Sequence, residues 1–433
     1  MLFDGALDSI KKIFEKYKEK LSLDANRDNY YVNRDLRGRI AIVWSSDSLD
    51  QVRETAGDAL QKMCTEIAKE LSPHALTADD LLIPEDAPIL ANTKGAVVYT
   101  YGNDPAFTVV DRMLTESSWS QRAKEDELSS RTVVFFSVKG GVGRSTALAA
   151  AAWNMAKKGK TVMVVDMDLE SPGLSTSLLP ENNQPNYGLL DWLVEDVVDN
   201  GDEVLQQIFA YSPLADDSKG RIIVIPAHGR KGGDYISKMG RAWMPRINDN
   251  ERISWPQRLR ILLSKLDKQF KPDYIFIDAR SGLDEIASAC VLDLAPRLVL
   301  LFALAGRQTW SGYSMLFEHW NRVGQAQNIR ASLQVVAAMI PPFEDKRPYL
   351  KKLRENAWDC FRDHLYDDVE AEESEAFSFD CEDEEAPHNP WVIHWHQGLQ
   401  AMLQLNTLED TLDENQIRAT FPFLENLSEM LPR

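Results

Sequence analysis

A chain of 433 residues is longer than one hydrophobic core usually supports, so two domains are expected, and 44% apolar content is ample for them. The net charge is −19, but eleven carboxylates and no lysine or arginine lie between Asp367 and Glu385, and taking those away leaves −8. An acidic chain gains little from counterion release, so bulk affinity for nucleic acid is not favoured.

The four cysteines, Cys64, Cys290, Cys360 and Cys381, show neither a metal-ligand spacing nor a disulfide pattern, which implies inert thiols in a reducing, cytoplasmic setting. In chain order, the opening Met-Leu-Phe-Asp-Gly lacks the apolar core of a signal peptide. Leu7, Ile10, Ile13, Phe14, Tyr17 and Leu21 then form a helical stripe opposite Lys11, Lys12, Lys16, Lys18 and Lys20. The stripe suits a core-facing helix with a solvated basic back, the commoner use, or a membrane-surface helix. A strand at Arg39–Trp44, a helix near Leu49–Leu71 and a strand at Ala96–Tyr101 complete a small α/β or α+β domain over residues 1–125. The polar stretch Ser117–Arg131 joins it to the rest. No motif in this domain carries chemistry.

Residues 126–433 read differently. Uninterrupted apolar runs rich in valine and isoleucine occur at Thr132–Val138, Thr161–Asp166, Arg221–Ala227, Asp273–Asp278, Arg297–Leu304 and Leu333–Ile340. Such runs suit parallel strands buried on both faces. No apolar run approaches membrane-spanning length, since Leu298–Gly306 is only strand-sized. Helical segments alternate with these strands. Ser145–Lys158 is alanine-rich and stops at Gly159, and Trp255–Phe270 puts Leu259, Leu262, Leu263 and Leu266 on one face. The pattern predicts a doubly wound, mostly parallel α/β sheet. The acidic stretch at 366–386 is expected to be a disordered or solvated loop, with a docking surface for a basic partner as the alternative. Pro390–His396, aromatic-rich and with alternating His394 and His396, is expected to pack back onto the sheet without holding metal. Trp310, Trp320, Trp391 and Trp395 read as core or interface aromatics, because no basic stripe interleaves them.

The segment Lys139-Gly140-Gly141-Val142-Gly143-Arg144-Ser145-Thr146 lies just after one predicted strand and just before a predicted helix. Glycines let backbone N–H groups turn toward phosphate oxygens with no Cβ in the way, and the following helix offers its N-terminal N–H groups to the same anion. Ser145 stands where such loops hold Mg²⁺. A glycine turn with no ligand is the alternative, and the strand–loop–helix context weighs against it. Paired acids at the end of the next strand, Asp166 and Asp168, would face the crevice at the carboxyl ends of an open sheet.

Val138 and Arg144 depart from the common phosphate-loop pattern, which has glycine and lysine there, while Lys139 supplies an early lysine instead. In this the loop resembles the deviant Walker A family, the partition and division-site ATPases of the ParA and MinD type with their ArsA-like relatives, and especially a subgroup whose loop reads K-G-G-V-G-R. The resemblance covers roughly residues 130–345. It implies a P-loop NTPase fold, Mg-ATP as ligand, and a homodimer closed around ATP. Backbone and side chains of Lys139–Thr146 would cradle the phosphates, and Pro341, ending Met339-Ile340-Pro341-Pro342, would lie near the base. Asp166 would sit near the Mg²⁺ water shell, Asp168 would orient the attacking water, and Asp278, ending the strand Tyr274-Ile275-Phe276-Ile277-Asp278, would bond metal-bound water. Lys139 would reach the partner's phosphates, and Ala279–Leu283 would sense the γ-phosphate. Arg144 is longer and planar where lysine is a compact point charge, so hydrolysis is expected to be slow. Arg280 would either carry phosphate charge or form an ion pair with Asp284 or Glu285. Glu170-Ser171-Pro172-Gly173-Leu174 reads as part of the switch or as a simple loop, and His228–Gly233 as a basic, flexible loop past a strand end.

These features predict an ATPase switch read by a protein partner. A non-hydrolysing nucleotide-bound scaffold is the alternative, and a DNA-positioning partition ATPase a second one, disfavoured by charge and by the lack of a basic C-terminal segment. No segment calls for membrane binding by a C-terminal helix, Leu424–Leu431 being short and acidic.

Overall fold

The computed structural model describes residues 1–86, 89–90, 96–112, 119–248, 251–342, 344–368, 376–401 and 405–431. Two compact units emerge: residues 1–120 with 322–324, and residues 121–321 with 325–433.

The first unit holds strands β1 (Tyr30–Arg34), β2 (Ile40–Ser45), β3 (Leu82–Glu85), β4 (Ala96–Tyr101) and β5 (Phe107–Arg112) in one mixed sheet of order β3-β2-β1-β5-β4. The helices Ala6–Tyr17 and Ser46–Leu71 pack on it, the second broken at Ala56, whose φ of −144° leaves the helical region. The lysine-backed stripe of the first helix is core: Leu7, Ile10, Ile13, Phe14 and Tyr17 are buried with Trp44, Phe107 and Val109. Burial of that many apolar side chains accounts for the stripe without a membrane.

The second unit is built on an eight-stranded sheet. Its strands are β6 (Thr132–Phe136), β7 (Thr161–Asp166), β8 (Ala210–Tyr211), β9 (Arg221–Ile225), β12 (Tyr274–Asp278), β13 (Leu298–Ala303), β14 (Leu333–Ile340) and β15 (Trp391–His394). The short hairpin β10 (Arg246–Asn248) and β11 (Glu251–Ile253) lies outside it. Strand order is β15-β14-β13-β6-β12-β7-β9-β8, parallel throughout except for β8. All six predicted apolar runs are present, and each is buried along nearly its full length because helices cover both faces. The fold is therefore the predicted doubly wound α/β class.

The helix Arg144–Lys157 shows why its alanines are needed. Ala147, Ala149, Ala150, Ala151, Ala152 and Ala156 are all fully buried, between the sheet and the C-terminal residues Phe421, Phe423, Leu424 and Leu427. A helix apolar all round is one enclosed on all sides, and small side chains allow close approach. From residue 121 onward the polar connection belongs to this unit; residues 117 and 118 lie outside the described residues. The Arg122 side chain is buried and donates to the carbonyls of Pro296 and Asn328 and to Ser332 Oγ.

The acidic stretch is more structured than expected in its described part. Residues 369–375 lie outside the described residues. Asp367 pairs with Arg330 at 2.5 Å and accepts from the Phe377 N–H, while Phe377 and Phe379 stack edge-on beside Tyr366. The aromatic rings anchor the segment and the carboxylates of Asp380, Glu382, Glu384 and Glu385 face solvent. After it, β15 adds to the sheet edge as expected, with His394 near Lys346 and His396 accepting from the Gly398 N–H. Among the described residues no group of histidine, cysteine and carboxylate side chains could hold a metal ion.

Candidate functional site

Three adjacent parallel strands set the site. β6 launches the glycine loop, β12 lies beside it, and β7 lies beside β12, with Asp278 and Asp166 in direct register. The carboxyl ends of these strands therefore bring the loop and the predicted acids together, as an open α/β sheet does. Gly141 and Gly143 take φ of +73° and +76°, the left-handed region closed to most side chains, which turns the loop into the helix that begins at Arg144. A Cβ on Gly143 would also lie 3.3 Å from Met339 Cγ at the end of β14. Pro341 follows Met339 by two residues, and Thr146 sits in the first helical turn. Val142 is buried, Lys139 is exposed, and among the described residues Lys139 makes no ion pair.

Asp278 is the centre of the arrangement. Its Oδ2 accepts a 2.6 Å hydrogen bond from Ser145 Oγ, and its Oδ1 a 2.5 Å bond from Arg144 Nε. The Arg144 guanidinium is itself buried, donates to Ser137 Oγ at 3.1 Å and stands 3.8 Å from Asp168 Oδ2. Burial pulls the arginine pKa down, yet the charges of Asp278, Asp168 and Asp166 outweigh it and leave the group above its ordinary value. Sequence reasoning aimed Arg144 outward at phosphate. The structure turns it inward, because a planar fork between the buried Asp278 and the half-buried Asp168 finds more partners there than a single ammonium would.

The other two acids differ from each other. Asp166 is fully buried; its Oδ1 accepts from the Asp168 N–H, and its Oδ2 accepts from both the N–H and the hydroxyl of Ser175. Burial first, then the charge of Asp278, pushes it up to about 7 against the pull of those hydrogen bonds. The residue expected near the metal's water shell thus fastens the start of the helix Leu174–Leu178. Asp168 is less enclosed; burial raises it and Arg144 opposes the rise.

The segment after Asp278 touches the loop directly. The Gly282 N–H donates to the Ser137 carbonyl at 3.0 Å, and a Cβ on Gly140 would lie 3.3 Å from Ser281 Oγ. Arg280 pairs with Glu170 at 2.5 Å and with Asp284 at 3.0 Å. The expected ion pair with Asp284 is present, and a second, with Glu170, joins it. The basic stretch His228–Gly233 is not loose either. Arg230 and Lys231 donate their N–H groups to the carbonyls of Pro185 and Asn186, and Gly188 and Gly229 each press on the backbone of the other segment. Ser137, Ser175 and Tyr235, whose hydroxyl donates to the Leu169 carbonyl at 2.6 Å, were not found from sequence. No local signal marks them, since their partners are brought by the fold.

A parallel sheet with a glycine loop between strand and helix, and acids at the ends of the two neighbouring strands, defines the P-loop NTPase fold. Residues 129–193, which hold the loop and the Asp166–Asp168 pair, match the family model ParA, described as NUBPL iron-transfer P-loop NTPase. Among solved structures, the cell division ATPase MinD of Pyrococcus furiosus is 18% identical over 70% of this chain and 99% of its own, with a TM-score of 0.42. MinD of Pyrococcus horikoshii, complexed with Mg-ADP, is 19% identical over 69% of this chain and 96% of its own, at 0.42. A ParA family ATPase from Chlorobium tepidum is 14% identical over 69% of this chain and 99% of its own, at 0.44. No curated protein matches the chain.

Proposed function

We propose that this chain is a slow Mg-ATP-dependent switch that dimerises around ATP and is read by a protein partner. The observation that carries the reading is the 2.6 Å bond between Ser145 Oγ and Asp278 Oδ2. It pairs a hydroxyl of the loop helix with a carboxylate of the neighbouring strand, and hard oxygen donors of this kind suit Mg²⁺ held by few protein ligands. Bound there, Mg²⁺ would neutralise charge on the phosphates and act as a Lewis acid. Ser145 and Asp278 would hold it, with Asp166 behind them. The loop N–H groups from Gly140 to Thr146 and the helix N-terminus would bind the phosphates, and Asp168 would orient the attacking water.

Arg144 gives the switch its slow character in this reading. Its guanidinium is shared among Asp278, Ser137 and Asp168, so phosphate must compete with a buried carboxylate for it. Lys139, exposed and without an ion pair among the described residues, is the group free to reach a second copy's phosphates. A non-hydrolysing scaffold is the alternative, and the partition-type DNA reading is the weaker second.

The test is ATP turnover with Mg²⁺ over a range of protein concentrations, alongside Lys139→Ala. Turnover per chain should rise with concentration and fall at least tenfold in the variant. Tight ATP binding with no turnover at any concentration would convert the switch into the scaffold. Turnover that is independent of concentration and of Lys139 would remove the dimer.

A further inference from the structure

A cavity of about 250 Å³ lies beside the site, lined by Glu170, Trp243, Trp255, Arg280, Asp284, Glu285 and Ile286. Its walls combine two indole rings, set edge to face at 4.9 Å, with three carboxylates and a single guanidinium. Trp255 is buried, whereas Trp243 is half exposed at the C-terminus of the helix Tyr235–Ala242. Burial pushes up the carboxyl of Asp284, and burial followed by the charge of Asp284 pushes up that of Glu285. Carboxylates held short of water beside an aromatic face are the chemistry that receives a cation.

We propose that this cavity is a recognition site for a guanidinium or alkylammonium side chain presented by a partner protein, seated on Trp243 and bonded by the carboxylates around it. A protein is favoured over a free small molecule by the chain on either side of Trp243. Ile236, Met244 and Ile247 are exposed, at 82%, 52% and 70%, along the helix Tyr235–Ala242, the link after it and β10. Apolar side chains left exposed near a charged pocket are the usual surround of an anchored residue in a protein interface.

The cavity is wired to the phosphate loop. Glu170 follows Asp168 by two residues and Arg280 follows Asp278 by two, and the two form an ion pair in the cavity wall. Tyr235, on the helix that ends at Trp243, holds the Leu169 carbonyl next to Glu170. Beyond Arg280, Gly282 bonds the loop at Ser137. A cation entering the cavity competes with Arg280 for Glu170 and Asp284, so its arrival is transmitted to both acid-bearing strand ends. This coupling rests on the nucleotide-switch reading; the binding site itself does not.

The experiment uses the full chain without nucleotide and follows tryptophan fluorescence. The probes are a blocked Leu-Arg-Leu peptide, its citrulline counterpart and agmatine. The arginine peptide should bind saturably, the citrulline peptide at least tenfold more weakly, and agmatine at least tenfold more weakly than the peptide. Trp243→Ala and the conservative Glu285→Gln, each checked for an unchanged circular dichroism spectrum and melting point, should each weaken the peptide at least fivefold. Glu285→Gln keeps the volume, so it remains informative if Trp243→Ala does not fold. Equal binding of arginine and citrulline peptides, or an affinity untouched by the folded variants, overturns the site. Agmatine binding as tightly as the peptide overturns the protein partner. ATP binding measured on the same samples keeps the two proposals separate: loss of ATP binding with peptide binding intact sinks the switch alone.

Discussion

Asp166 is a buried acid whose protonation the fold controls. Its pKa is about 7 in the folded chain, because burial and Asp278 disfavour the anion, against an ordinary value of 3.8. Between those two values the folded state keeps a proton that the unfolded state releases. Stability therefore falls as pH rises from about 4 to about 7, and the contribution is flat outside that window. Three pKa units correspond to at most about 4 kcal/mol across the window. Asp166→Asn cannot ionise, so the difference in unfolding free energy between the two chains should shift steadily in the variant's favour from pH 5 to pH 7. The substitution also costs a hydrogen-bond acceptor toward Ser175 or Asp168, a loss that does not vary with pH. Urea melts at several pH values separate the two effects, and a pH-independent difference would mean that Asp166 is ionised throughout. Arg144 is the complementary case at this scale. It sits in the same buried cluster as a permanent cation, and removing one member of such a pair costs about 3–5 kcal/mol, so its inward orientation is held by the two acids it faces.

At the scale of elements, the pinned loop after β9 makes a sharper claim than its composition does. Gly188 and Gly229 lie back to back, and a Cβ on Gly229 would overlap the backbone of Asn186 and Tyr187, which cannot move aside as a side chain can. Gly229→Ala should cost about 1–3 kcal/mol. Gly232→Ala, whose Cβ meets its nearest atom at 3.4 Å, should stay within about 0.5 kcal/mol. Equal urea midpoints for the two variants would mean that the loop is as free as its glycines imply. The same contrast explains what could be read in advance. The six central strands were legible because burial on both faces leaves an unbroken apolar run. In the first unit, β1 ends in Arg34 and β5 carries Asp111 one residue before its end, and their neutralisation as a cross-strand pair is invisible until the strands are adjacent. β3 carries Pro84, which argues against a strand except at a sheet edge, where it lies. In the site, the acids were legible as strand endings. The inward turn of Arg144 was not, because its partner Asp278 is 134 residues away in sequence.

For the whole molecule, charge placement decides between the partner classes. A net charge of −19 repels a polyanion, and several of the less exposed arginines are spent within the chain. Arg144 is tied to Asp278, Arg246 and Arg258 to Asp196, Arg280 to Glu170 and Asp284, Arg330 to Asp367, and Arg354 to Glu382. Non-specific DNA binding comes almost wholly from lysines and arginines that displace counterions, and typical affinities for proteins that do it are about 10⁻⁴–10⁻⁶ M at physiological salt. The chain should therefore show no saturable binding to duplex DNA tighter than about 10⁻⁴ M under those conditions, with or without Mg-ATP. A fluorescence anisotropy titration of a labelled random-sequence duplex measures this directly. Lowering the salt should produce at most a shallow rise, because few phosphates would be neutralised. Micromolar binding that steepens as salt falls, and that requires ATP, would show that closing a dimer gathers a basic surface from two copies. That outcome would restore the partition-type reading over the protein-partner one, since a positive surface made only in the ATP state is the device such a function would need.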